Sequence, residues 1–280
     1  GKYNLFHPTY YDTYFMDTVA DLKTPFVLTV FDMIHEKFSR WFPGSEKLQK
    51  NKKMLAEKSE KVIAISESTK RDLHEIYEIS NDKIEIIHLS ASFSGLKKTG
   101  SLVQDKYVLF VGDRWIYKNF TRFVYSVSSV LRKYGLKLVC AGSRKFQDYE
   151  IEFLHDAGVH DLAVHIPIDN DQDLFNLYSD AVCFVFPSLY EGFGIPLLES
   201  FSAGCPVICS RGSSFDEVTG GAAEQFDPYD ALSIGNSLKK VLESETYRQE
   251  LQEKGYAQNA KFSWKRMADE HSEIYRKTVR

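Results

Sequence analysis

A chain of 280 residues with 43% hydrophobic residues and a formal net charge of −4 can fill one or two packed cores, and it has no basic excess that would point to nucleic acid. Its four cysteines form no CxxC pair and lie in or beside apolar runs, as reduced core thiols of a cytoplasmic protein do. No apolar segment reaches the roughly 18 residues of a membrane-spanning helix, and no charged-then-apolar leader opens the chain, so a soluble, cytoplasmic protein is expected.

The chain opens on a strand pattern, Tyr3–Phe6, with no cap or helix before it, which predicts natural sequence upstream. Further strands are expected at Phe26–Val30, Val62–Ser66 and Ile84–His88. Helices are expected at 45–59 and 68–78, with Ser66 or Ser68 as N-cap. Residues 91–106 are small, polar and glycine-containing and read as a linker. A second series of strands follows at Tyr107–Val111, Lys137–Ala141, Ala163–Ile166, Ala181–Phe186, Pro206–Ser210 and Ala223–Phe226. Its helices fall at 120–134, 147–157, 171–179, 196–203, 229–243, 245–260 and 264–279. Apolar strands alternating with helices predict an α/β protein whose parallel sheets are covered on both faces. The expected division is a partial domain over 1–95, a complete doubly wound domain over 106–263, and a C-terminal helix over 264–280 that crosses back to the first.

Three loops carry groups suited to chemistry. After the strand Phe26–Val30, Asp32 and His35 stand at a strand's carboxyl end, where one of them could transfer a proton or bond a transferred group. The competing reading is that Asp32 caps the next segment and His35 only packs. After Tyr107–Val111, Arg114 and Lys118 could neutralise a diphosphate, Arg with a planar fork and Lys with a point charge. Two such cations in a surface loop are otherwise simply solvated. After Ala181–Phe186 comes Glu191-Gly-Phe-Gly-Ile-Pro-Leu-Leu-Glu199. Gly192 and Gly194 let backbone around Phe193 approach a ligand. Pro196 suits the first helical position, which places Glu199 in the first turn beside unpaired N–H groups that suit a phosphate. A tight turn with two solvated glutamates is the alternative. Asp169-Asn-Asp171 looks like a DxD metal site but precedes a helix, where capping accounts for acidic residues. His155, His160 and His165 recur every five residues, which does not align ligands on a helix face. No metal is expected.

Taken together these segments resemble retaining glycosyltransferase family 4. The signature is Glu191-Gly-Phe-Gly-Ile-Pro-Leu-Leu-Glu199, preceded by Phe186-Pro-Ser188. Tyr107–Gly112, Tyr117-Lys-Asn119, Ala64–Ser68 and Phe262-Ser-Trp264 support it. The closest likeness is to bacterial mannosyltransferase-like members that build capsule, exopolysaccharide or O-antigen. The resemblance implies the GT-B fold of two Rossmann-like domains, here with the N-terminal one truncated, because the family's glycine-rich loop and first strands have no counterpart. It also implies roles: Arg114 and Lys118 for the donor diphosphate, Glu199 for the ribose, and Glu191, Gly192, Phe193 and Gly194 for the donor sugar, with no metal or cofactor. Where many members carry His-Asp, this chain has Phe31-Asp32. Where they carry Pro-Glu-Val, it has Phe215-Asp-Glu-Val218.

The expected function is therefore retaining transfer of a hexose, mannose favoured, from a nucleotide-diphosphate sugar to a saccharide or lipid-linked saccharide. GDP-mannose is the favoured donor and a UDP-sugar the alternative. A lipid-carried acceptor would bring peripheral contact with the inner membrane surface. Two other readings are a nucleotide-sugar-binding pseudoenzyme that assists a partner and a nucleotide-sugar epimerase.

Overall fold

The computed structural model describes residues 3–17, 23–93, 95–142 and 144–279. The chain divides into two compact units. The first is Gly1–Ser90 with Glu191–Phe193 and Phe262–Arg280; the second is Ala91–Tyr190 with Gly194–Lys261.

In the first unit, strands β1 (Val27–Val30), β2 (Lys61–Ala64) and β3 (Ile84–Ile86) form a parallel sheet in that order. Between them run α1 (Ile34–Lys37), α2 (Glu46–Lys58) and α3 (Glu67–Tyr77). β1 is buried along its whole length, as a strand covered on both faces must be. Alternate residues serve the two faces. Leu28, Val30, Val62 and Ala64 pack with Leu55 and Ala56 of α2 and Leu73 of α3, whereas Val27 and Ile63 pack with Ile87 and Ile274. Ile274 lies on the last helix, α11 (Trp264–Thr278), so that helix covers the second face of this sheet. Ser66 caps α3 by accepting from the Thr69 N–H at 3.0 Å. The expected strand Tyr3–Phe6 reduces to one bridge, between Phe6 and Phe26. The one-turn α1 is too short to leave a periodic signal in the sequence.

The second unit holds β4 (Tyr107–Val111), β5 (Lys137–Ala141), β6 (Ala163–Ile166), β7 (Cys183–Phe186), β8 (Val207–Ser210) and β9 (Glu224–Phe226). Its helices are α4 (Phe120–Tyr134), α5 (Asp148–Asp156), α6 (Asp171–Asp180), α7 (Ile195–Ser202), α8 (Phe215–Thr219), α9 (Ala231–Glu243) and α10 (Glu245–Asn259). The six strands are parallel in the order β6-β5-β4-β7-β8-β9. The chain winds outward from β4 to β6, returns to β7 beside β4, and winds the other way. The order therefore reverses between β4 and β7, where diverging connections open a crevice at the strands' carboxyl ends. All four cysteines are buried and free, and burial pushes the Cys140 thiol up to about 12. Residues expected as a linker pack on α6. Thr99 N–H donates to Asn176 Oδ1 at 3.0 Å, Gln172 donates to the Lys97 carbonyl, and Phe93 meets Phe175 and Tyr178. Among the described residues, no helix is long and apolar enough to cross a membrane.

Candidate active site

At the reversal point of the second unit, the loop leaving β4 and the loop leaving β7 are joined directly. The Leu189 N–H donates to the Tyr117 carbonyl at 2.8 Å. The half-buried Lys118 lies with its ammonium 5.2 Å from the centre of the Tyr117 ring and 5.4 Å from that of Phe186, the last residue of β7. The structure thus brings Lys118 to the loop that runs on to Glu191 and Gly194.

Arg114 is placed differently from the expected phosphate fork. Its guanidinium is buried in a bidentate pair with Glu150, Nε to Oε1 at 2.6 Å and a terminal nitrogen to Oε2 at 3.2 Å; both side chains are 1% exposed. The same terminal nitrogen donates to the carbonyls of Arg144 and Lys145. Glu150 is fixed in turn because Oε2 accepts the Gln147 N–H at 2.8 Å, closing a capping box at the start of α5. Through Nε and that one terminal nitrogen, Arg114 ties the β4–α4 loop to the β5–α5 loop. Arg144, which approaches Glu150 at 3.4 Å, stays partly exposed.

Gly194 is the N-cap of α7 with φ 115°, a conformation that strains other residues, and an added Cβ would sit 2.9 Å from Leu197 Cδ1. The helix accordingly starts one residue before the expected Pro196, and Glu199 is its fifth residue, just beyond the first turn. Glu199 accepts a hydrogen bond from the Tyr178 hydroxyl at 3.2 Å. Burial pushes its carboxyl up to about 7; the Tyr178 bond opposes the shift and the Asp171 carboxylate adds to it. Asp169 and Asp171 stand at the start of α6, where Asn170 caps the helix through the Asp173 N–H at 2.9 Å.

The remaining candidates belong to the first unit. A Cβ on Gly192 would lie 1.8 Å from the Phe31 carbonyl oxygen and 2.9 Å from Asp32 Cβ, so no other residue fits beside that turn. The Thr69 hydroxyl donates to the Gly192 carbonyl at 3.3 Å. Phe193 packs against His88 and Phe262, with ring centres 5.8 Å away in each case. The backbone of Glu191-Gly-Phe193 is thereby held against the turn that carries Asp32. Asp32 is half-buried, and its Oδ1 accepts the Ile34 N–H at 3.0 Å. Met33 is the N-cap of α1, and the second carboxylate oxygen of Asp32 can serve another group. His35 packs on Phe42, and its buried Nδ1 has no hydrogen-bond partner among the described residues.

Residues 96–258, more than half of the chain, match the family described as glycosyl transferases group 1. The chain belongs to the group 1 glycosyltransferases. O-antigen chain mannosyltransferase B of Escherichia coli is 26% identical over 228 residues, which cover 77% of this chain and 60% of that protein. The serotype-specific mannosyltransferase WbdA of E. coli is 29% identical over 239 residues, or 79% of this chain and 29% of WbdA. The chain thus spans less than two thirds of the first relative and less than a third of the second. Sucrose-phosphate synthase from Thermosynechococcus elongatus superposes with a TM-score of 0.82 at 18% identity, over 98% of this chain and 73% of that one. Anabaena Alr3699/HepE in complex with UDP and glucose gives 0.82 at 14% identity, over 98% and 77%. These likenesses show the fold, which is GT-B. In this group 1 glycosyltransferase, sequence reasoning missed Tyr178 beside Glu199, Glu150 beneath Arg114, and Thr69 on Gly192. Only Glu150 left a local signal, three residues after the capping Gln147.

Proposed function

We propose that this group 1 glycosyltransferase moves a hexose, with mannose favoured, from a nucleotide-diphosphate sugar onto a growing saccharide or lipid-linked saccharide during cell-surface polysaccharide synthesis. The observation that carries this reading is the reversal between β4 and β7, where Lys118, the Gly194 helix start and Glu199 all follow the same two strands. In this reading the Glu199 carboxylate accepts the ribose hydroxyls. Lys118 and the N-terminus of α7 take the charge of the leaving diphosphate, the largest stabilisation such a transfer needs. Arg114, paired with Glu150, holds the Lys118 loop in shape, and its other terminal nitrogen serves the diphosphate beside Lys118. Glu191 and the backbone of Gly192, Phe193 and Gly194 hold the donor sugar. Asp32, with His35 in the same turn, orients the incoming hydroxyl.

The acceptor oxygen forms its bond to the anomeric carbon as the bond to the diphosphate oxygen breaks. The hydroxyl proton passes to that departing oxygen on the same face, so configuration is retained. We take GDP-mannose as the donor in preference to a UDP-sugar because relatives are named as mannosyltransferases, although the structural neighbour Alr3699/HepE was solved with UDP and glucose. No metal or cofactor is assigned a step. A lipid-carried acceptor would place the work at the inner membrane surface. The test is transfer of labelled sugar from GDP-mannose, UDP-glucose and ADP-glucose into polymer, with the product anomer read by NMR. An α-linked product from GDP-mannose supports the reading; an inverted product, or donor epimerised without acceptor, refutes it.

A further inference from the structure

The turn that carries Asp32 is held from outside by side chains of other segments. The Tyr11 hydroxyl oxygen accepts the Phe31 N–H at 3.0 Å. On α2, Lys52 Nζ donates to the Asp32 carbonyl at 3.0 Å and Gln49 Nε2 to the His35 carbonyl at 3.0 Å. Lys52 is only 1% exposed. It pairs at 3.0 Å with Glu36, 4% exposed, and its ammonium lies 5.0 Å from the centre of the Tyr11 ring. The other Glu36 oxygen accepts the Tyr77 hydroxyl of α3. Burial and the Glu36 carboxylate push the Tyr77 phenol above its ordinary range, which keeps it protonated as the donor.

A buried ion pair rarely stabilises a fold more than an apolar pair of the same shape would. Stability alone therefore does not account for a lysine inside this core. What an apolar residue cannot supply is a fixed donor on the Asp32 carbonyl. Asp32 Oδ1 is occupied by the Ile34 N–H, so carbonyl and carboxylate of this residue are anchored at two points and the free carboxylate oxygen has one direction. We propose that Lys52 is a positioning residue for sugar transfer: locked by Glu36 and the Tyr11 ring, it fixes the backbone of Asp32 and hence the aim of its carboxylate.

This rests on Asp32 belonging to the transfer site. The test replaces the charges together, as Lys52→Met/Glu36→Gln, which leaves no unpaired charge and keeps an acceptor for Tyr77. The double variant should melt close to wild type and bind nucleotide unchanged. Its kcat should fall about 10- to 100-fold, the scale of a small misplacement of a reacting group, while donor KM stays the same. Hydrogen exchange across residues 31–37 should quicken. Lys52→Arg, which keeps a donor, should recover part of kcat. A double variant with wild-type kcat and wild-type exchange overturns the proposal. If wild type transfers no sugar, the functional reading fails separately, and exchange over 31–37 alone decides whether Lys52 orders the turn.

Discussion

Replacing Glu199 by Gln separates the chemistry of this site from its packing. The wild-type carboxyl is pushed by burial from an ordinary 4.5 to about 7. The folded chain therefore holds this proton more tightly than the unfolded chain does. The stability that follows is fully present below about pH 4.5 and is lost as pH rises to about 7. At about 1.4 kcal/mol per unit, the ionised group costs the fold on the order of 3 kcal/mol above pH 7, an upper bound on what Gln could recover. Ribose hydroxyls donate to a carboxylate, so a nucleotide selects the ionised form. With a carboxyl near 7, about a tenth of the protein is competent at pH 6 and about nine tenths at pH 8, which predicts roughly a tenfold rise in affinity. The terminal phosphate of GDP itself titrates near about pH 6, so the quantity to read is the difference between the two proteins. Titration calorimetry with GDP at pH 6, 7 and 8, in two buffers of different ionisation enthalpy, should show wild type releasing about half a proton more than Glu199→Gln at pH 7. The variant should bind about 10- to 100-fold more weakly at pH 8, the loss of a charge-assisted hydrogen bond. Equal pH slopes in the two proteins would refute the assignment of Glu199 to the ribose.

Other consequences follow from named contacts. Gly192→Ala drives a Cβ to 1.8 Å from the Phe31 carbonyl, so the turn must shift; a melt should show a loss of about 2–4 kcal/mol, with transfer falling in parallel. Glu150→Ala strands the buried Arg114 guanidinium and should cost about 3–5 kcal/mol, whereas Arg114→Met/Glu150→Met should cost far less; equal losses in denaturant melts would contradict the pair's structural role. Transfer should run at the same rate after exhaustive chelation, and a rate restored only by a divalent ion would reinstate the Asp169–Asp171 pair as a candidate.

The legibility of these features in the sequence depended on how local their causes are. Strands β4, β5 and β7 are short apolar runs between turn residues, and both loops at the reversal point follow from them. The spacing from Glu191 to Glu199 survives in structure as one loop and one helix. What stayed hidden depends on partners distant in sequence. Arg114 and Lys118 read as an equivalent pair of cations, yet Glu150, 36 residues on, takes the first and leaves the second beside Phe186. Lys52 carried no signal in the sequence, because nothing in α2 announces Glu36 and Tyr77 behind it. The helix start moved from Pro196 to Ile195 because Gly194, free to adopt a positive φ, caps it. Asp32 left both readings open in the sequence, and the structure shows one carboxylate oxygen accepting the Ile34 N–H while Met33 is the N-cap of α1.

The central claim is that the loops after β4 and β7 hold a nucleotide-diphosphate sugar. A thermal-shift titration of wild type and Lys118→Ala with GDP-mannose, UDP-glucose and ADP-glucose tests it most directly. One nucleotide sugar, GDP-mannose in this account, should raise the wild-type melting temperature saturably, by the equivalent of about 2.7 kcal/mol at a hundred times its Kd. Lys118→Ala should need about 10- to 100-fold more ligand for the same shift. No shift with any of the three donors, or an identical shift in the variant, would contradict it.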